Sequence, residues 1–306
     1  MSTAKVCRLL LSLFFLGVSA AHAELPRSTA DHSSFEALQG PFSDGPSVTK
    51  ACLSCHTEAA KQLHHTTHWT WAFENPVNGQ LQGKKHVINN FCVATASNWP
   101  RCTSCHIGYG WKDDQFDLNA EQQVDCLVCH DTTASYKKFP THAGHPNYVA
   151  KEWPPKSGNI WPAPDLAQIA QQVGLPSREN CGACHFYGGG GDGVKHGHLD
   201  SSMGSPERAL DVHMAKDGLN FSCQDCHTAG GHQIAGSRYA TKASDHSGID
   251  IPGRTDHSRA SCESCHDIQP HQATSNPKLD QHTDRIACVT CHVPEFARGG
   301  RKTKMW

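Results

Sequence analysis

The chain has 306 residues and a formal net charge of −2, from 27 basic and 29 acidic side chains. That balance offers no broad basic surface and argues against a nucleic-acid partner. Only 37 % of residues are hydrophobic and 8 % aromatic, a thin supply of core material for this length, whereas cysteine (16) and histidine (23) are abundant.

In chain order, residues 1–23 read as a secretory signal. Lys5 and Arg8 form the basic region, Leu9 to Val18 the apolar region, and Ala21-His22-Ala23 a small-residue cleavage site. The mature chain is expected to begin at Glu24 in the periplasm, without Cys7. Loss of Lys5 and Arg8, with no carboxylate removed, takes the net charge to −4. The apolar run is short for a bilayer span and no later run approaches the required length, so no stable membrane span is expected. Residues 24–50 carry Ser, Pro and Gly turn signals and suggest an extended arm, while residues 51–306 show no dividing linker and read as one domain. A helix is expected from Glu58 towards His68, and another leading in from Glu121. Asp165 to Val173 sets Leu166, Ile169, Ala170 and Val173 on one face, with Gly174 and Pro176 as stop signals. Gly188 to Gly191 lacks the lysine and hydroxyl residue of a phosphate loop and reads as a turn. Strand alternation is weak, so the expected fold is mostly α with a high loop content.

Seven times a cysteine pair three positions apart is followed at once by histidine: Cys52/Cys55/His56, Cys102/Cys105/His106, Cys126/Cys129/His130, Cys181/Cys184/His185, Cys223/Cys226/His227, Cys262/Cys265/His266 and Cys288/Cys291/His292. This is the attachment motif of c-type haem, in which both thiols form thioethers to the porphyrin and the adjacent imidazole ligates the iron. A zinc site needs four ligands and has no use for histidine after every pair. Intervals of 50, 24, 55, 42, 39 and 26 residues between first cysteines exclude a fixed-period solenoid. Seven covalently attached haems would supply the missing apolar bulk, giving a compact haem stack wrapped by short helices.

Setting aside the proximal histidines and His22 leaves fifteen, more than seven irons need. An iron with two imidazole ligands transfers electrons, whereas one with a weak, unusual or absent sixth ligand can reduce a small molecule. The candidate second ligands are His68, His86, His196, His213, His232 and His282, with His271 next. Met203 and Met214 are weaker candidates.

Cys92 belongs to no motif. It lies in FCVATASNWPRCTSCHIGYGW at 91–111, a stretch that resembles the octahaem cytochromes of the tetrathionate reductase family. Similar matches are DCLVCHDTTASYKKFP at 125–140, CGACHFYGGGGDGVKHGHLD at 181–200, FSCQDCHTAGGHQIAGSRY at 221–239 and CVTCHVPEFARGG at 288–300. The resemblance implies that the second haem, ligated by His106, is catalytic. It also implies a lysine in the sixth position, which maps to Lys137 or Lys138, a non-ligating cysteine near that haem, matched by Cys92, and a supporting position for Asp131. The chain departs from the family in having seven sites rather than eight, as a fragment or a shortened form would.

The function so implied is reduction of a small nitrogen or sulfur oxyspecies, such as nitrite, hydroxylamine or tetrathionate, at the His106 iron, with the other haems carrying electrons. Cys92 could contribute a thiol, and nearby histidines with Lys137 or Lys138 could supply protons and attract an anion. The alternative is a non-catalytic electron conduit with every iron capped by two histidines. Expected partners are redox proteins and the small substrate, and a homodimer is possible.

Overall fold

The computed structural model of the chain describes residues 30–74, 78–86, 94–186, 192, 199–234, 262–293, 295–298 and 301–304. The signal segment, Cys92, His196 and Gly188 to Gly191 lie outside the described residues.

Short helices and irregular segments dominate, as the sequence pattern indicates. Among the described residues, strands occur as four antiparallel hairpins: β1 (Phe73–Glu74) with β2 (Leu81–Gln82), β3 (Lys151–Glu152) with β4 (Ile160–Trp161), β5 (Ala229–Gly230) with β6 (Gln233–Ile234), and β7 (Glu295–Arg298) with β8 (Arg301–Lys304). No helix among the described residues is long and apolar enough to cross a membrane.

The haem motifs themselves build helical turns. In the first, third, fifth, sixth and seventh motifs the histidine amide donates to the carbonyl of the first cysteine, at 2.9, 3.1, 2.8, 3.0 and 3.0 Å. One helical turn places residues i and i+3 on the same face, so both thiols of a pair point the same way.

Helix α1 (Gly45–Leu53) starts inside the segment read as an arm and carries the first motif at its end. Asp44 caps it by accepting from the Ser47 amide at 2.8 Å, and the Ser47 hydroxyl completes the capping box. Pro46 occupies its first turn, where a missing N–H costs nothing. The stretch expected to run from Glu58 to His68 is broken into α2 (Ala59–His64) and α3 (Thr67–Thr70). Thr66 interrupts it by turning its hydroxyl back to the Leu63 carbonyl at 2.7 Å, a local bond that competes with the helix. Helix α4 (Trp99–Cys102) leads into the second motif, Glu121–Gln123 forms a 3₁₀ turn, and Val124 is extended before α5 (Leu127–His130). Helix α6 (Leu166–Gln171) matches the Asp165 signal closely: Asp165 accepts from the Gln168 amide at 3.0 Å, and Leu166, Ile169 and Ala170 are buried. It stops short of Val173, which instead pairs with Asp131.

The core joins Leu38, Val48, Ala60, Trp69, Ile107, Tyr109, Val124, Leu127, Val128, Tyr136, Leu166, Ile169 and Ala170, with Cys52, Cys126 and Cys129 packed against it. Around it three segments run side by side. The Tyr109 amide bonds Gln123, the Asp125 amide bonds Ile107, the Gly110 amide bonds Ala143 and the Phe139 amide bonds His145, each at 2.8 Å. Gly144 adopts φ +89°, and a Cβ there would stand 2.1 Å from the Gly108 carbonyl, so glycine is required for this close approach. The result brings His106, Asp125 and Lys138 to one place.

The attachment sites differ in how far the polypeptide covers them. Cys55, Cys226, Cys262, Cys265 and Cys291 are exposed, whereas the other motif cysteines are half-buried. The adjoining His56, His227, His266 and His292 are exposed too. The reason lies in what each motif turn packs against. The second and third motifs enclose Thr103-Ser104 and Leu127-Val128, all buried, and so are drawn into the core. The turns at Cys223–Cys226 and Val289–His292 bury no residue, the fifth and sixth motifs enclose the polar pairs Gln224-Asp225 and Glu263-Ser264, and Ser54 beside Cys55 is exposed. With no apolar side chain between their cysteines, the fifth and sixth motif turns stay at the surface, and in the seventh Val289 is only half-buried. A thioether requires access to the porphyrin edge rather than enclosure by side chains, so exposure leaves these thiols open to attachment.

Candidate functional site around His106

Histidines fall into pairs that each join one motif histidine to one histidine outside the motifs. Ring centroids are separated by 6.3 Å for His56 and His32, 6.3 Å for His130 and His232, 6.2 Å for His185 and His68, 6.0 Å for His266 and His213, and 5.9 Å for His292 and His271. Two imidazoles on opposite sides of one iron, with metal–nitrogen bonds of about 2.0 Å and about 1.2 Å from nitrogen to ring centre, need about 6.4 Å. The residues therefore fit haem, and the fit includes the exposed motifs of Cys55, Cys265 and Cys291. The His130 pair shows the supporting hydrogen bonds as well: His130 Nδ1 donates to the Gly174 carbonyl and His232 Nδ1 to Gln62 Oε1, both at 2.8 Å. Each ring is thereby oriented with Nε2 available, as for metal-ligating histidines generally. Burial lowers the His232 pKa, with His130 adding to the effect, and pushes His68 down to about 4, with His185 and His227 adding. Both effects favour the neutral, ligating imidazole.

Of the candidate second ligands, His68, His213 and His232 sit opposite motif histidines. His86 and His282 are exposed and share no such ring pairing among the described residues. His271 rather than His282 faces His292, and His32 faces His56. His32 lies before the first motif in what sequence suggested was an arm, so no spacing signal pointed to it.

Motif cysteines also adjoin one another. Cys52 and Cys126 lie within hydrogen-bonding reach, as do Cys105 and Cys184, and Cys181 and Cys223. The first motif thus abuts the third, the second the fourth, and the fourth the fifth.

His106 has different surroundings. It is fully buried, and the rings around it are Trp69, Trp111, Phe116 and Trp71, at 5.0, 4.8, 5.5 and 5.4 Å. No second histidine ring pairs with it among the described residues. Its Nε2 donates to the Trp69 carbonyl at 2.7 Å, and its Nδ1 is buried without a partner among the described residues. Burial pushes its pKa down to about 3, opposed by the Trp69 carbonyl and aided by Lys138 and Lys84. The free ring nitrogen here is Nδ1, the reverse of His130 and His232, where Nδ1 is anchored and Nε2 is free.

The two candidate lysines separate cleanly. Lys137 is exposed, whereas the Lys138 side chain is 6 % exposed. Lys138 Nζ donates to the carbonyl of His106 itself and to that of Gly108 at 3.2 Å, and lies 3.0 Å from Asp125 Oδ2. Asp131 is buried, but its carboxylate accepts from the Thr133 amide and hydroxyl at 2.7 and 2.6 Å and from the Tyr136 amide at 3.0 Å. It shapes the turn that delivers Tyr136 and Lys138 rather than facing His106. Sequence reasoning passed over Asp125, Tyr109, Tyr136 and also Lys84, whose ammonium lies 4.2 Å from the Trp71 ring centre and donates to the Cys102 carbonyl at 3.3 Å. The one signal for Asp125 was a carboxylate directly before a motif cysteine.

Comparison with known proteins decides the architecture. A crystal structure of octahaem cytochrome c from Shewanella oneidensis is 48 % identical and superposes with a TM-score of 0.69, covering 87 % of this chain and 53 % of that one. The fold is that of a multihaem c-type cytochrome. The chain spans about half the length of the Shewanella protein. An uncharacterized protein of Archaeoglobus fulgidus is 26 % identical over 243 residues, 66 % of this chain and 80 % of that protein. No family model matches the sequence.

Proposed function

We propose that this cytochrome is a periplasmic reductase of small nitrogen or sulfur oxyspecies, acting at the site of His106, with the remaining haem sites devoted to electron transfer. The supporting observation is the contrast between His106 and the paired motif histidines: among the described residues its ring meets aromatic rings and no second imidazole, and a buried lysine bonds its main-chain carbonyl. Haem bound at these motifs supplies one-electron transfer and, where a sixth position exchanges, a place for a small molecule to be reduced.

The chain's own residues divide the work. His32, His68, His213, His232 and His271 would serve as second ligands at their five sites. Abutting motif cysteines hold neighbouring sites close enough for electrons to pass. At His106 the four aromatic rings exclude water, and Lys138, not Lys137, is the lysine buried beside the site; its three N–H groups engage Asp125 and the carbonyls of His106 and Gly108, so while it holds these bonds it acts as a cation and not as an iron ligand. Its positive charge suits an anionic substrate such as nitrite or tetrathionate. Cys92 remains the candidate thiol for sulfur exchange with a tetrathionate-like substrate.

Electron paramagnetic resonance of the oxidised protein, combined with turnover driven by reduced viologen, tests this reading. Lys138→Ala is expected to change the signal of one haem and depress nitrite, hydroxylamine or tetrathionate reduction, while Lys137→Ala changes neither. Signals of bis-histidine type alone, with no turnover of any of the three acceptors, would favour an electron conduit instead.

A further inference from the structure

Lys138 is held by more than proximity to His106. Asp125, whose side chain is wholly buried, accepts from the Tyr109 hydroxyl at 2.7 Å and the Val128 amide at 3.1 Å through Oδ1. Its Oδ2 accepts from the Tyr136 hydroxyl at 2.9 Å and faces Lys138 Nζ at 3.0 Å. The two hydroxyls are 3.0 Å apart. Three oxygens, from Asp125, His106 and Gly108, match the three N–H donors of the ammonium, which is therefore fixed in direction as well as place.

We infer that Asp125 is a specificity-determining residue: it positions the Lys138 ammonium beside His106 and offsets its charge, so that the site does not select strongly for anions over neutral substrates. This rests on the reading of Lys138 as the lysine of the His106 site. A lone buried lysine would attract any anion and discriminate against uncharged hydroxylamine. Pairing it with a carboxylate reduces that field, because the two charges stand 3.0 Å apart and act on more distant groups nearly as a dipole. The tyrosines tune the effect, since each hydroxyl donated to the carboxylate spreads its charge. Tyr136 does so at the same oxygen that Lys138 faces.

The test uses the full haem-loaded chain. Nitrite binding is read as an equilibrium spectral titration of the oxidised protein, and viologen-driven KM values are taken for nitrite and hydroxylamine. Asp125→Asn keeps the shape and removes the charge. It is expected to tighten nitrite binding by about tenfold, the order expected for one uncompensated charge in a buried site, while the hydroxylamine KM stays within about twofold. Tyr136→Phe leaves more carboxylate charge on Lys138 and is expected to weaken nitrite by about threefold, again with hydroxylamine unmoved. It decides the matter should Asp125→Asn not fold. Equal shifts for both substrates, no shift, or shifts of opposite sign overturn the inference. Lys138→Ala separates the two layers. If it leaves nitrite binding and the haem signals unchanged, the underlying reading of the site fails as well; if it weakens nitrite while the Asp125 and Tyr136 variants show no charge discrimination, only the inference fails.

Discussion

Replacing His232 with alanine should remove one iron ligand and nothing else of consequence. The His130 and His232 rings are 6.3 Å apart, the spacing that one iron between them demands, and His130 keeps its own anchor on the Gly174 carbonyl. The variant loses one hydrogen bond, from His232 Nδ1 to Gln62 at 2.8 Å, worth about 1 kcal/mol, and Gln62 is half-buried so that water replaces the donor. Folding should therefore survive. With seven motifs in the chain, about one-seventh of the ferric low-spin intensity should convert to high-spin, which double integration of the paramagnetic resonance spectrum measures. His282→Ala provides the contrast: His282 is exposed, lies opposite no motif histidine among the described residues, and its loss should leave the spectrum intact. A His232→Ala spectrum that superposes on the wild type, or a His282→Ala spectrum that gains high-spin intensity, would refute the assignment of ligands from ring spacing.

Two further outcomes follow from the same geometry. Gly144→Ala forces a Cβ against the Gly108 carbonyl at 2.1 Å in a left-handed conformation, so it should destabilise the protein by about 2 kcal/mol or more and shift the haem signal of the His106 site. A denaturation midpoint equal to that of the wild type would show that the three segments do not pack as described. Intact mass and a pyridine haemochrome assay should together give seven covalently held haems per chain, those at the exposed Cys55, Cys226, Cys265 and Cys291 included. A colourless protein with the mass of the bare polypeptide would remove the basis of the entire reading.

Much of the chemistry was written in local sequence. The seven motifs are short-range patterns fixed by the spacing of two thioethers and one iron ligand, so no tertiary information was needed to see them. The α6 helix was equally legible, because Asp165 caps it and its apolar face has helical period. Local signals failed where competing bonds acted, as in the Glu58 stretch broken at Thr66, or where a segment folded for the sake of remote partners, as in the arm that places His32 opposite His56. They also gave all seven motifs the same weight, although packing draws Cys126 and Cys129 against the core and leaves both thiols of the sixth motif, Cys262 and Cys265, at the surface.

Sequence by itself determined the haem-attachment motifs, their cysteines, and the histidine tied to each. Tertiary structure alone decided which second histidine faces each of five sites, and it singled out Lys138 over its neighbour by burying one and exposing the other. It also revealed Asp125 as the partner of that lysine. The reason is physical: a proximal ligand is tied to its cysteines by a single helical turn, whereas a distal ligand or a counter-ion is recruited across the fold. His68 reaches a motif more than a hundred residues away, and such meetings depend on how the whole chain packs around its cofactors.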